Sequence, residues 1–199
     1  MPGPRRILCL IGTRPEAIKM APVVLALRAA GFARVTVLGT GQHRDMARQA
    51  LSLFGIDLDV DLDVMLPDQS LAGLAARVLA RLDAYLATAP QDMILVQGDT
   101  TSVMAGAMAG FCRRIPVGHV EAGLRTHDID RPFPEEMNRR IASLASALHF
   151  APTAGARDNL LREGVPPAAI HVTGNTVIDA LLAVARQRPA CDLPIAPGR

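Results

Sequence analysis

Short apolar runs alternate along the chain with longer stretches in which apolar residues recur every three or four positions. The runs predict strands and the stretches predict helices. Such an alternation, with short connections, is typical of an α/β protein with a mainly parallel sheet and helices on both faces. The predicted strands are the run from Ile7 to Gly12, Val35–Leu38, Met93–Val96, Pro116–Val120, Leu148–Ala151 and Ile170–Val172. The predicted helices are one ended by Gly31, then His43–Phe54, Leu71–Leu86, one containing Met104–Gly110, one opened by Pro134, Thr153–Glu163, and one that Asn175 caps.

The first strand is expected to turn sharply into a helix. Thr13 and Glu16 have the spacing of a capping box, and Pro15 suits a first helical turn. Free backbone N–H groups and the positive end of the helix dipole would then face the carboxyl edge of the sheet, where anions bind. Arg14 and Lys19, the only lysine of the chain, would add positive charge there. The compact ammonium of Lys19 indicates a position that needs a point charge, unless it is an accident of composition.

Three further local patterns lead to expectations about packing. Pro22 interrupts the first helix, where a kink or a restart is expected. Residues 56–64 alternate aspartates with apolar side chains, which predicts an edge strand or an extended loop with one wet face. The small residues between Met104 and Gly110 would let their helix lie close against the sheet.

The Pro-rich residues 189–199 have no periodicity and are interpreted as a linker.

Composition limits the class of protein. The 199 residues are half hydrophobic, which suits one large domain or the front part of a larger protein. A net charge of +2, one tyrosine and no tryptophan make a nucleic-acid partner unexpected. Three distant cysteines suggest neither a disulfide framework nor a zinc site and fit a reducing cytoplasm. No membrane span, signal peptide, metal motif or nucleotide-cofactor fingerprint is recognisable, so no cofactor, metal or membrane association is expected.

Polar side chains follow several predicted strands, and the carboxyl ends of parallel strands share one rim. Asp99 follows one strand, and helix capping alone explains it about as well as a functional role. For Asn175, capping is the better explanation. Glu121 ends an apolar strand without an obvious helix after it, so its carboxylate must meet water in a cleft or a cation, which Arg14 or Arg125 could supply.

A long polar loop from Gly123 to Phe133 leads to two more acids. Favourable interaction with the helix dipole is a sufficient explanation for Glu136, whereas for Glu135 a functional role is equally plausible. Together, Asp99, Glu121 and Glu135 would place three acids beside Arg14 and Lys19. In such a cleft the acids could be held in different protonation states at the same pH. Proton abstraction from carbon and expulsion of an anionic leaving group require this.

The histidines give weaker signals. His43 lies just after the second strand, and a surface position at a helix N-terminus explains it better than a functional one. His119 precedes Glu121 by two positions, so both could share one face of a strand. His127 lies in the loop, and His149 and His171 are interpreted as structural.

Five longer motifs, taken together, resemble the non-hydrolysing UDP-N-acetylglucosamine 2-epimerases of bacteria over about residues 6–185. They are GTRPEAIKMAPV from Gly12, QGDTTS from Gln97, GHVEAGLRT from Gly118, PFPEEMNRR from Pro132 and TGNTVIDALL from Thr173. The resemblance implies a Rossmann-like domain equivalent to the N-terminal half of a GT-B-like enzyme, with the active site between two domains. It also implies interconversion of UDP-N-acetylglucosamine and UDP-N-acetylmannosamine through elimination of UDP, a 2-acetamidoglucal intermediate and re-addition, in a pathway to surface polysaccharide.

The resemblance also implies roles for residues. Arg14 and Lys19 would be basic residues of the cleft, with Arg125 a further substrate-binding cation. Asp99, Glu121 and Glu135 would transfer or position protons, together with Lys19. Gln42 and His43 match a part that helps hold a second, regulatory UDP-N-acetylglucosamine in some members, although Pro67-Asp68 stands where some relatives present a basic residue.

The chain is about half the length of the family's members. Residues 1–188 are therefore interpreted as the N-terminal domain, residues 189–199 as a truncated linker, and the second, UDP-binding domain as absent. Little or no activity of this chain alone is expected, because one wall of the cleft would be missing. A separate chain with the second domain is a possible partner, and a homo-oligomer is expected once the protein is complete. The alternatives are a nucleotide-sugar-binding module without chemistry, half of a split enzyme, a glycosyltransferase and a hydrolysing 2-epimerase.

Overall fold

The computed structural model describes residues 3–42 and 44–187, so the predicted linker lies outside the described residues. Seven strands and seven α-helices alternate through this part of the chain, with one turn of 3-10 helix at Pro167–Ala169. The strands are β1 (Arg5–Ile11), β2 (Ala33–Gly39), β3 (Val60–Asp61), β4 (Met93–Gln97), β5 (Val117–Val120), β6 (Leu148–Ala151) and β7 (Ile170–Val172). The helices are α1 (Arg14–Ala29), α2 (Arg44–Ser52), α3 (Leu71–Thr88), α4 (Thr101–Cys112), α5 (Glu135–Ala145), α6 (Ala154–Arg162) and α7 (Val177–Gln187).

All the strand pairs are parallel, and the order across the sheet is β3-β2-β1-β4-β5-β6-β7. The predicted mainly parallel α/β sheet is therefore confirmed. The order reverses between β1 and β4, because the chain builds outward from β1 in one direction and then from β4 in the other. In such sheets, a crevice opens at this point beside the carboxyl ends of the strands. The loops after β1 and β4 border it.

Helices cover both faces because successive strand residues point to opposite sides. In β1, Leu8 and Leu10 join the apolar core that includes α3 and α4. Ile7, Cys9 and Ile11 join the core on the other face, against α1 and α2. A run of apolar residues without alternation is what a strand buried on both faces requires.

Helix α4 lies very close to the sheet, as its small residues predicted. A Cβ atom on Gly106 would lie 2.2 Å from Cδ2 of Leu10, and one on Gly110 would lie 2.4 Å from Cγ2 of Val117. Both distances are shorter than real contacts allow. The glycines therefore set the separation of the helix and the sheet, and with it the position of the α4 N-terminus.

Two local predictions concern Pro22 and residues 56–64. Helix α1 runs from Arg14 to Ala29 without interruption, so of the kink or restart predicted at Pro22, the restart is wrong. The prediction of an edge strand or an extended loop around residues 56–64 is confirmed, with only two paired residues in the edge strand β3. Most of this segment is therefore an extended loop, although its apolar side chains still point inward and Asp57 and Asp63 outward.

Candidate functional site

Glu121 is the residue on which polar groups from three other elements converge. Its Oε2 lies 2.6 Å from Nζ of Lys19 in α1, and its Oε1 accepts a hydrogen bond of 2.7 Å from Nδ2 of Asn175, just before α7. Nε2 of Gln97, the last residue of β4, also donates to Oε2. The carboxylate is mostly buried, with an ammonium and two amides around it. The cation that meets Glu121 is thus Lys19, and not Arg14 or Arg125.

The backbone at Glu121 is held in a sparsely populated conformation. Its φ of 65° is in the left-handed region, which is unfavourable for a residue with a side chain. Such a conformation costs of the order of 1–3 kcal/mol and persists only where its surroundings fix it. The three side-chain partners supply that restraint. They also hold the carboxylate between α1, the end of β4 and the residue before α7.

Asp99 lies on the neighbouring strand end, after Gly98 at the end of β4. Its backbone carbonyl accepts a hydrogen bond of 2.9 Å from Nδ2 of Asn138, and its carboxylate pairs with Arg139, both from α5. Burial raises the pKa of Asp99, while Arg139 opposes the rise. Asp99 is not the N-cap of α4. That position belongs to Thr100, whose Oγ1 accepts from the Val103 N–H at 3.3 Å, so capping alone does not explain Asp99.

The three predicted acids lie near one another. The negative charges of Glu121 and Glu135 both contribute to the raised pKa of Asp99, after burial. Glu135 is the first residue of α5 and is half-buried. The rim therefore combines three carboxylates with the ammonium of Lys19 and the first turn of α1, the constellation expected from the sequence.

Arg14 and Arg125 occupy different environments. Arg14 is exposed in the first turn of α1, and its guanidinium forms no hydrogen bond with any other described residue. The side chain of Arg125 is fully buried, and its Nε and Nη2 bind Oε1 and Oε2 of Glu163 at 2.8 and 2.7 Å. Nη2 also donates to Oγ of Ser143 at 3.0 Å. Arg14 is available to a ligand, whereas the guanidinium of Arg125 is occupied by protein groups.

Gln42 lies at the edge of the same rim. Its Oε1 accepts a hydrogen bond of 2.9 Å from Oγ of Ser102 in the first turn of α4. It also borders a surface cavity of about 340 Å³ whose other walls include Met65 and Asp68. The second residue predicted for a regulatory site, His43, lies outside the described residues.

Two buried histidines, His119 and His149, lie within β5 and β6. Nε2 of His119 lies 2.7 Å from the carbonyl oxygen of Gly98 and donates to it, because a carbonyl can only accept. Burial lowers the pKa of His119 to about 4, which keeps the ring neutral. His149 is its neighbour in β6 and is also buried, in agreement with a structural role. His171 is exposed and stacks on Phe150.

The sequence alone did not single out Gln97 or Arg139, and it undervalued Glu16, Asn175 and Glu136. Asn175 does cap its helix, accepting from the Val177 N–H at 3.0 Å, but it also binds Glu121. Glu136 is fully buried, not a simple first-turn carboxylate, and its Oε2 accepts from the backbone N–H of Thr126 at 3.1 Å. Their position in the sequence could have identified two of these residues, because Gln97 and Asn175 both belong to motifs at the ends of strands.

Within residues 3–42 and 44–187, no three or more His, Cys, Asp or Glu side chains are arranged to hold a metal ion. No helix in that part of the chain is both long and apolar enough to cross a membrane.

Comparison with known proteins identifies relatives over most of the chain. The family model described as UDP-N-acetylglucosamine 2-epimerase matches residues 25–193. The UDP-N-acetylglucosamine 2-epimerase of Escherichia coli K12 is 50% identical over 187 residues, which is 94% of this chain and 50% of that protein. The chain thus spans about half the length of the curated relatives it matches.

Solved structures of other proteins resemble this chain in fold, and one of them also resembles it in sequence. The crystal structure of the Neisseria meningitidis UDP-GlcNAc 2-epimerase bound to UDP-GlcNAc superposes with a TM-score of 0.89 and 48% identity, over 92% of this chain and 49% of that one. A lipopolysaccharide outer core galactosyltransferase, WaaB, superposes with a TM-score of 0.58 over 85% of this chain and 45% of its own, at only 10% identity, and so shares the fold alone. These neighbours confirm that the described sheet corresponds to one half of a GT-B-like enzyme. With a family model that matches most of its residues, the chain belongs to the UDP-N-acetylglucosamine 2-epimerase family.

Proposed function

We propose that this chain supplies the acidic wall of a non-hydrolysing epimerase that interconverts UDP-N-acetylglucosamine and UDP-N-acetylmannosamine. The observation that carries the proposal is the Lys19–Glu121 pair at the strand-order reversal, with Asp99 and Glu135 beside it. Carboxylates and a cation at that point suit a substrate that loses a proton from carbon and a diphosphate from the adjacent carbon. The bound UDP-GlcNAc of the Neisseria relative supports the same class of ligand.

The reaction requires a proton acceptor near C2 of the sugar. Removal of the C2 proton leaves an electron pair that forms the C1–C2 double bond while the C1–O bond to UDP breaks. Return of a proton to the opposite face of C2 and re-addition of the UDP oxygen at C1 give the inverted sugar. We assign proton transfer to Asp99, because burial raises its pKa toward the pH at which a general acid or base is efficient.

The departing UDP carries negative charge that the other side of the rim can stabilise. Arg14 is exposed and unpaired among the described residues, and the first turn of α1 points free N–H groups in the same direction. Lys19 lies further along α1, and its ammonium already contacts Glu121. A point charge there can approach both a carboxylate and a diphosphate oxygen.

We further propose that residues 1–188 form one domain and that the second wall of the cleft comes from the equivalent of the relatives' other half, on the same or a separate chain. One open wall leaves the acids in contact with bulk water, which weakens electrostatic stabilisation of developing charge. The 199-residue polypeptide alone should then have little or no epimerase activity. The interpretation of residues 189–199 as a linker that follows this domain is part of the same proposal.

Complementation tests the function directly. The 199-residue chain is incubated with UDP-N-acetylglucosamine in D₂O, alone and with a polypeptide that covers the other half of the Escherichia coli relative. We expect UDP-N-acetylmannosamine carrying deuterium at C2 only in the mixture. An Asp99→Asn variant is the matched control, and it should abolish product while the two chains still associate.

Each other outcome contradicts part of the proposal. Free N-acetylmannosamine with UDP would indicate a hydrolysing epimerase. Binding of UDP-N-acetylglucosamine by calorimetry, without product in an associated mixture, would indicate a nucleotide-sugar-binding module. Robust turnover by the 199-residue chain alone would refute the need for a second wall.

Assembly and location are also proposed. Gln42, beside its cavity, is a candidate contact for a second nucleotide sugar, and the complemented protein should form a homo-oligomer that light scattering can detect. Cys9 and Cys112 are free thiols, which fits a reducing cytoplasm.

A further inference from the structure

Glu16 connects the two turns that border the crevice. Its Oε2 accepts a hydrogen bond of 2.5 Å from the Gly12 N–H, and its Oε1 accepts one of 3.0 Å from Oγ1 of Thr13, both in the β1–α1 turn. Oε1 also accepts a hydrogen bond of 2.8 Å from Oγ1 of Thr100, which is 84 residues away in the β4–α4 turn. One carboxylate thus joins two strand ends that are neighbours in the sheet.

Helix capping alone does not account for this arrangement. In a capping box, the threonine side chain accepts from a backbone N–H of the first turn, and the glutamate reaches back to the threonine N–H. Here the Thr13 side chain makes no cap bond, and Glu16 interacts with the Gly12 N–H in addition to the Thr13 N–H. The side chain is turned inward and is only 2% exposed. Its outermost partner, Thr100, belongs to a different helix.

The carboxylate is buried without a cation. None of the described cations forms an ion pair with it, and burial raises its pKa to about 6 against hydrogen bonds from the Gly12 and Thr13 N–H groups and from the Thr13 and Thr100 hydroxyls. All of these groups can donate to the ionised form, so the network suits a carboxylate. A buried charge without a counter-ion is unfavourable, and these bonds offset part of that penalty.

The tie bears on the candidate catalytic groups on both sides. Thr13 immediately precedes Arg14, and Thr100 immediately follows Asp99 and caps α4. We propose that Glu16 is a positioning residue. It would hold the β1–α1 turn, which precedes Arg14 and Lys19, in register with the β4–α4 turn, which contains Asp99. This inference rests on the proposed function for its effect on turnover, but the tie itself can be tested without activity.

The first test uses backbone amide resonances of the 199-residue chain between pH 4.5 and 8. We expect the Gly12 and Val103 amides to titrate together with a midpoint near 6, because Gly12 donates to Glu16 and Val103 donates to Thr100. Asp99, Glu121 and Lys19 face the same rim, so Glu16→Gln identifies the source: the common midpoint should disappear. Gln keeps the size and can still bond both hydroxyls, which protects the fold.

Variants of Thr100 distinguish a link between the two turns from local capping of α4. In Thr100→Val, the Gly12 amide should keep the midpoint near 6 and the Val103 amide should lose it, whereas Thr100→Ser should restore both. Thr88→Val removes a hydroxyl that bonds only the carbonyl of Tyr85, and it is the matched control. If Val103 follows Gly12 in Thr100→Val, or if the two wild-type amides titrate with different midpoints, the tie is refuted.

The second test measures turnover after complementation with the second half. Thr100→Val should lower kcat about tenfold with little change in KM, because a misplaced reacting group impairs the transition state more than binding. Thr100→Ser and Thr88→Val should match the wild type. Unchanged kcat in Thr100→Val would refute the positioning role. An inactive wild-type mixture would count against the proposed function, while the amide titration would still decide whether Glu16 joins the two turns.

Discussion

The ammonium of Lys19 and the carboxylate of Glu121 lie 2.6 Å apart although 102 residues separate them in sequence. The pair joins α1 to the end of β5 across the sheet edge. A planar guanidinium would present a fork of donors in place of this compact charge, so an arginine would bind Glu121 with a different geometry.

Lys19→Arg should therefore impair turnover although it keeps the charge. In the complemented protein, we expect kcat to fall about 100-fold, the scale of a displacement of about 1 Å in a reactive site. Steady-state assays of UDP-N-acetylmannosamine formation measure this. Arg48→Lys, at a surface ion pair with Asp61, is the control for arginine–lysine exchange and should remain active. Normal activity of Lys19→Arg would make the lone lysine an accident of composition.

Gly123→Ala should strongly destabilise the fold. A Cβ there would lie 2.2 Å from the carbonyl oxygen of Ala156, and the residue has a φ of 88°. Gly164 has a similar φ of 85° but open space around it, so Gly164→Ala isolates the backbone strain. We expect a loss of about 1 kcal/mol for Gly164→Ala and about 3 kcal/mol or more for Gly123→Ala. Equal losses in urea denaturation would mean that the α6 backbone yields to the added methyl group.

Glu163→Gln should lower the free energy of unfolding by about 2 kcal/mol at neutral pH, because it leaves the buried guanidinium of Arg125 without its carboxylate. The hydrogen bond from Arg125 holds the pKa of Glu163 below its usual value of 4.5. The stabilising contribution of Glu163 is thus present above that value and is lost as the pH falls below it. The difference between variant and wild type should accordingly shrink in acid. A difference that is independent of pH would contradict the ion pair.

Glu16→Gln should show the opposite pH dependence. The folded state raises the pKa of Glu16 from 4.5 to about 6, so it binds the proton more tightly than the unfolded chain. Wild-type stability from this group is greatest below pH 4.5 and falls as the pH rises through 6, by about 2 kcal/mol in all. The variant cannot titrate, so its stability relative to the wild type should increase over that interval in urea denaturation. The Thr88→Val variant, which removes no ionisable group, should follow the wild-type pH dependence.

The packing of α4 was predictable because it depends on residue size within one helix. Gly106 and Gly110 are small wherever they lie, and a helix that carries them can approach a sheet. The sheet itself was predictable for a similar reason, since the period of apolar residues is a local property of each strand and helix.

The partners of the polar residues were not predictable in the same way. Glu121 was expected to meet Arg14 or Arg125, but Lys19 occupies that position, and Arg125 is bound to Glu163. Each alternative was chemically reasonable. Which cation arrives depends on the distances between elements that the sequence pattern does not give.

The sequence by itself determined the alternating strands and helices, the collection of acids and cations at one rim, and the motifs of the family. Only the tertiary structure decided that Lys19 faces Glu121 and that Glu16 is buried between two turns as their common acceptor. The physical reason is the range of the interactions. Periodicity and capping act over a few residues, whereas a hydrogen bond between Glu16 and Thr100 forms only after the strand order brings β1 and β4 side by side.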